Sequence, residues 1–112
     1  MTEVRLNEEQ AIELAEIFRM LGDPNRLRIA VACLGEPLCV GDVADRVGLS
    51  TALVSHHLRV LRAARFLTAR KRGKQVFYVA TDDRVRCIIT DMVEHVAEPP
   101  EDGDEENSGQ GL

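Results

Sequence analysis

At 112 residues the chain is long enough for one domain and too short for a large core of its own, and no stretch approaches the roughly eighteen uninterrupted apolar residues that a membrane span requires. Apolar residues make up 45% and charged residues 29%, a globular mix, and with no Trp, one Tyr and three Phe the core must be aliphatic. The net charge of −5 argues against a nucleic-acid partner only if it is spread evenly, and it is not: Ser50 to Thr81 holds seven basic residues and no acid, while the other 80 residues hold seven basic and all nineteen acidic ones. The opening MTEVRLNEEQ is acidic and polar, unlike a secretory signal. Cys33, Cys39 and Cys87 are odd in number and widely spaced, unlike a disulfide framework, so the expected setting is a reducing cytoplasm and the expected thiols are buried and inert.

Residues 8 to 21, EEQAIELAEIFRML, carry apolar side chains at Ile12, Ala15, Phe18 and Leu21, with Leu14 and Ile17 beside them. Behind an acidic first turn, that spacing predicts an amphipathic helix. In the GDPN that follows, Gly22 stops the helix, Asp23 caps the next and Pro24 fits its first turn. The second helix, Pro24 to Leu34, is nearly all apolar after Arg28 and reads as central, with Gly35 and Pro37 ending it. Leu38 to Val47 reads as a short third helix stopped by Gly48. Ser50 then caps a fourth helix running to about Arg65, and the tight GLS between the two is a helix-turn-helix signature.

FLTARKRGKQVFYVA predicts a hairpin, Phe66 to Lys71 and Gln75 to Ala80, turning near Arg72-Gly73-Lys74. A last helix starts at Thr81 or Asp82, carries Val85, Ile88, Ile89, Met92, Val93 and Val96, and ends before Pro99-Pro100. From Glu98 onward the chain has six acids, no bases and almost nothing apolar, which predicts a disordered acidic tail over 98–112 behind a domain of 1–97. The expected fold is mostly α with a two-stranded β-wing, in the order α-α-α-α-β-β-α: a winged helix-turn-helix.

Stepping about 100° per residue around the fourth helix puts Leu53, Val54, Leu58, Val60, Leu61 and Ala64 on one side. Thr51, Ser55, Arg59 and Arg62 take the other, with Ala52 and Ala63 alongside. The adjacent His56 and His57 point apart, so they do not share a metal ion. His57 falls in the apolar arc and reads as a buried histidine hydrogen-bonded to backbone. His56 flanks the polar face, where a DNA contact and an idle surface position both fit and its neighbours favour DNA. The candidate DNA contacts are Ser50, Thr51, Ser55, His56, Arg59 and Arg62 on the helix, and Arg70, Lys71, Arg72 and Lys74 on the hairpin for the flanking backbone or a minor groove.

LGDPNRLRI, LCVGDVADRVGLSTALVSHHLRVLRAARFL and RKRGKQVFYV together resemble the ArsR/SmtB transcriptional repressors, from about Phe18 to Val96. The resemblance implies a homodimer paired through the first and last helices, bound to double-stranded operator DNA until an inducer releases it. A metal ion such as zinc is the leading inducer and a thiol or redox signal the other. It also implies two places for a metal. Where many arsenic and cadmium sensors have Leu-Cys-Val-Cys-Asp, this chain has Leu38-Cys39-Val40-Gly41-Asp42, which leaves Cys39 and Asp42 as weaker candidates. Where the family pairs its last helices around Asp-x-His-x10-His-x2-Glu/His, this chain has Asp82, Arg84, His95 and Glu98, with Asp82 supplied by the partner subunit. Arg84 replaces a ligand with a fixed positive charge and could instead pair with Glu98 across the dimer.

A second reading from the residues is a winged helix without an inducer, serving an architectural or protein-interaction role, which the acid-free basic stretch disfavours. An enzyme finds no support: there is no nucleophile with a placed base, no glycine-rich phosphate loop and no paired carboxylates in an apparent cleft.

Overall fold

A computed structural model describes residues 3–100, so most of the acidic tail expected over 98–112 lies outside the described residues. The first helix is α1 (Glu8–Leu21). Asn7 accepts from the Gln10 N–H at 2.8 Å while the Gln10 side chain accepts from the Asn7 N–H at 3.1 Å, a reciprocal cap that satisfies two otherwise orphaned donors. Ile17, Met20 and Leu21 reach the core, but no residue of α1 is fully buried in one protomer. Helix α2 (Pro24–Ala32) starts as expected, with the Asp23 carboxylate accepting from the Arg26 N–H at 3.0 Å and Pro24 in the first turn. It ends two residues before the expected Leu34, because the Cys33 carbonyl turns to accept from the Ala80 N–H at 3.1 Å.

The sheet corrects the expected two-stranded wing. Leu38 and Cys39 are not the first turn of the third helix. They form a short strand β1 (Leu38–Cys39) that pairs antiparallel with Tyr78 and Phe77, and helix α3 (Val40–Val47) follows directly. The hairpin strands are β2 (Leu67–Arg72) and β3 (Gln75–Ala80), giving a three-stranded order β1-β3-β2. Gly73, with φ +61°, takes the first place of the two-residue turn, where the backbone twist matches that of the strands.

Gly48 ends α3 in the left-handed region at φ +72°, and Ser50 Oγ caps α4 (Thr51–Ala63) by accepting from the Leu53 N–H at 3.1 Å. Asp82 caps the last helix, α5 (Asp83–Ala97), by accepting from the Val85 N–H at 3.0 Å. The core is aliphatic, as the composition requires. Ile29, Cys33, Val43, Val54, Leu58 and Leu61 are fully buried where α2, α3 and α4 meet, and Leu38, Leu67 and Ile89 close it from the sheet and α5. Burial of each large aliphatic side chain is worth about 1.5–3 kcal/mol, so this cluster is what holds α4 at a fixed angle to the hairpin.

Candidate nucleic-acid interface

Helix α4 has one buried and one open face. Val54, His57, Leu58 and Leu61 pack inward, whereas Thr51, Ala52, His56, Arg59, Arg62 and Ala63 are exposed and Ser55 is half-buried. The expected open face therefore holds for Ser50, Thr51, His56, Arg59 and Arg62, with Ser55 at its margin. Leu53 departs from it: placed on the apolar side by the helical wheel, it is 39% exposed, because it lies at the edge of the buried arc in the first turn, where the core does not reach. Ala52 sits near the middle of the open face, one turn before Ser55 and two turns before Arg59. A small side chain there lets the helix backbone approach a groove closely, and it can touch a thymine methyl. The wheel placed it alongside the polar face, but it carries no polar group to single it out.

His57 is buried, yet its partner is not the backbone. Arg26 Nε donates to His57 Nδ1 at 3.2 Å, and Arg26 also donates to the Met20 carbonyl at 2.7 Å. Arginine is always protonated, so Nδ1 must be the bare nitrogen and Nε2 must carry the proton. Burial pushes the imidazole pKa down, with the Arg26 charge adding to the shift and Asp23 partly opposing it. The pair ties the end of α1, the start of α2 and the buried side of α4 into one unit.

The basic residues are placed as a surface. Arg59, Arg62, Arg65, Arg70, Lys71, Arg72 and Lys74 are all exposed. Of these seven, only Arg65 has an ion-pair partner among the described residues, Glu13 at 3.6 Å. On the hairpin, the register puts Arg70 opposite Phe77 and Arg72 opposite Gln75 on one face, with Lys71 opposite Val76 on the other. The Arg72 guanidinium lies over the Phe77 ring, 5.9 Å from its centre. Helix and hairpin together present donors and cations with no acid between them in sequence, which suits base edges on one element and phosphates on the other.

Away from this surface, α1, α2 and α5 border an apolar cleft of about 770 Å³, lined by Phe18, Leu27, Val31, Ile88, Met92 and Val96 among others. Phe18, Ile88 and Met92 are each more than half exposed. The apolar stripes predicted on the first and last helices thus lie open in the single protomer.

The sequence pattern described as "Bacterial regulatory protein, arsR family" matches residues 23–69, from the cap of α2 into β2. A transcriptional repressor SmtB homolog of Synechocystis is 38% identical over 90 residues, covering 80% of this chain and 68% of that one. A cadmium resistance transcriptional regulatory protein CadC homolog of Staphylococcus aureus is 37% identical over 94 residues, covering 83% and 78%. The chain belongs to the arsR family of bacterial regulatory proteins. Among solved structures, reduced HlyU from Vibrio cholerae superimposes with a TM-score of 0.73 at 25% identity, over 81% of this chain and 96% of that one. The chain is thus a winged helix-turn-helix transcriptional regulator, and no helix among its described residues is long and apolar enough to cross a membrane.

In this arsR-family chain the residues at the two family metal positions are arranged differently. Cys39 Sγ donates to Asp42 Oδ2 at 3.4 Å at the start of α3, so that pair is brought together, with Gly41 between them. Asp82 and His95 stand at opposite ends of α5, about 20 Å apart at 1.5 Å per residue, so no single protomer can close a site on them. No three metal-ligating side chains cluster among the described residues of one chain. His95, Glu98 and Arg84 are all exposed. Of the cysteines, only Cys33 is fully buried, and burial pushes its thiol up to about 12, which keeps it protonated and unreactive. Cys39 is half-buried and Cys87 is exposed on α5, so the expectation of three buried thiols holds for one. The outer side of α5 has no layer over it in the protomer.

Proposed function

We propose that this arsR-family chain is a repressor that grips double-stranded operator DNA as a homodimer and lets go when an inducer binds. The observation that carries the reading is the open face of α4 joined to the exposed cations of the hairpin. Ser55, His56, Arg59 and Ala52 are the base-reading positions in the major groove, with Thr51, Ser50 and Arg62 on the adjoining phosphates. Arg70, Lys71, Arg72 and Lys74 follow the flanking backbone and minor groove. The open stripes of α1 and α5 support dimerisation: a second copy would cover Phe18, Ile88 and Met92 and set two recognition helices one DNA turn apart.

The names of its relatives, a cadmium resistance regulator among them, favour a metal ion as inducer. This chain offers two donor sets. Asp82, His95 and Glu98 fit three corners of a site between paired α5 helices, but the Asp82 carboxylate is already engaged as a helix cap and Arg84 brings a fixed charge to the fourth corner. Cys39 and Asp42 supply a thiol and a carboxylate within hydrogen-bonding distance at α3. Neither set is a complete four-ligand cage in this chain.

The deciding experiment selects duplexes from a random-sequence pool with the purified protein, then titrates the complex with Zn(II), Ni(II), Cd(II), arsenite and a thiol oxidant. A repressor of this type enriches a palindrome and loses it with one or more of these agents. Failure to enrich any sequence overturns the reading. A zinc response that survives His95→Ala places the inducer elsewhere than α5, and one that strengthens in Arg84→His identifies the arginine as what weakens that site.

A further inference from the structure

Phe77 is half-buried in β3, the central strand of the sheet, with Cys39 of β1 on one side and Arg70 of β2 on the other. It is the aromatic residue nearest the tip of the hairpin, and Arg72, its diagonal neighbour, lays its guanidinium over the ring at 5.9 Å. Arginine is otherwise a long side chain with several free torsions, and an exposed one at a hairpin tip samples many of them. A strand flanked on both sides cannot move its ring far. The ring face is therefore a fixed platform at the edge of the cationic surface.

We propose that Phe77 is a positioning residue for DNA binding: it stacks the Arg72 guanidinium in one orientation at the wing edge, so that the arginine meets the minor groove or flanking phosphates already ordered. The inference rests on the reading of the chain as a DNA-binding regulator. Stacking uses the flat face of the guanidinium and leaves its in-plane N–H groups free to donate to phosphate oxygens or to base acceptors in the minor groove. The two demands do not compete. A leucine at 77 would keep the strand apolar and remove the π-face. A lysine at 72 would keep the charge and lose the planar group that stacks. The same geometry distinguishes the hairpin's two faces: Arg70 and Arg72 share the ring's face, whereas Lys71 on the opposite face has only Val76 across from it and contributes as a mobile charge.

The test is a double-mutant cycle on a duplex selected by the wild-type protein, with affinity measured across a salt series. Phe77→Leu should weaken binding by roughly two- to fivefold per half-site, the range of one exposed cation–π contact, without changing the slope of log affinity against log salt, because no charge is lost. Phe77→Tyr, which keeps the ring face, should restore it. Arg72→Lys should weaken binding similarly with an unchanged slope, and it reads the stacking without touching the sheet if Phe77→Leu unfolds. In an Arg72→Ala background, Phe77→Leu should have no further effect. Equal losses from Phe77→Leu with and without Arg72, or an unchanged affinity in Phe77→Leu and Arg72→Lys, overturn the proposal while leaving a DNA-binding protein. A wild-type chain that enriches no duplex overturns the regulator reading itself, and the proposal with it.

Discussion

Arg26 Nε donates to His57 Nδ1 at 3.2 Å on the buried side of α4, and this bond exists only while the imidazole is neutral. A proton on Nδ1 removes the acceptor and sets two positive charges against each other in a buried site. The histidine expected to bond to backbone is thus a strut between side chains, whose protonation state matters to the seating of α4.

That relationship makes stability depend on pH in a definite direction. The unfolded imidazole titrates near its ordinary value of 6.5 and the folded one lower, so between the two values the unfolded chain holds the extra proton. His57's contribution is complete above 6.5 and is lost as pH falls through that value toward the folded pKa. Urea midpoints measured from neutral pH downward should fall over this window. His57→Gln, which can accept the same bond without titrating, should flatten that part of the curve. Arg26→Ala, leaving Nδ1 and the Met20 carbonyl without their donor, should cost about 1–3 kcal/mol.

Arg65 holds φ +66° just past α4, where the Phe66 N–H returns to the Leu61 carbonyl and the Arg65 N–H to the Arg62 carbonyl, each at 2.9 Å. This is a Schellman cap with arginine where glycine is the relaxed choice. Arg65→Gly should raise stability by about 0.5–1 kcal/mol, since left-handed strain outweighs the exposed ion pair with Glu13, which is worth little. Gly48→Ala should do the reverse. Its Cβ would meet nothing within 4 Å, so a loss of about 1 kcal/mol would come from φ +72° alone. Paired thermal melts of the two variants test both signs.

Base reading and charge should separate in DNA titrations. Arg59→Ala should cost about 1–3 kcal/mol on a selected duplex and relax preference at one base pair. Lys71→Ala or Lys74→Ala should weaken all duplexes alike and reduce the salt slope by about 1 per half-site. Equal behaviour of the three variants would mean that α4 does not read bases.

Dimerisation should fail at Met92. Its side chain is 56% exposed in the protomer beside Ile88 and Val96, and a carboxylate placed there would be buried unpaired in the homodimer. Met92→Glu should sediment as a monomer with its helical content intact. It should bind DNA weaker by about a hundredfold or more, because the second half-site is no longer tethered to the first.

Much of this was legible in the chain. The 3.6-residue spacing in α1, α4 and α5, the caps at Asp23 and Ser50, and the stops at Gly22 and Gly48 are local signals, and their effects appear where they stand. The open face of α4 and the acid-free basic stretch follow from periodicity and counting. Leu38 and Cys39 were misplaced because their apolar character fits a helix start as well as a strand, and the arbiter is a partner some forty residues away in β3. Leu53 was misplaced because a wheel assigns a direction and not the extent of the neighbouring layer.

The sequence by itself determined the order of the five helices and the hairpin, the aliphatic core and the segregation of charge, because each depends on contacts within a few residues or on composition. Only the tertiary structure decided what His57 is bonded to, that the Arg72 guanidinium lies over Phe77, and that Cys33 is sealed while Cys87 is open. Those outcomes depend on the register of strands and the packing of helices, which bring together residues whose separation along the chain carries no local signal.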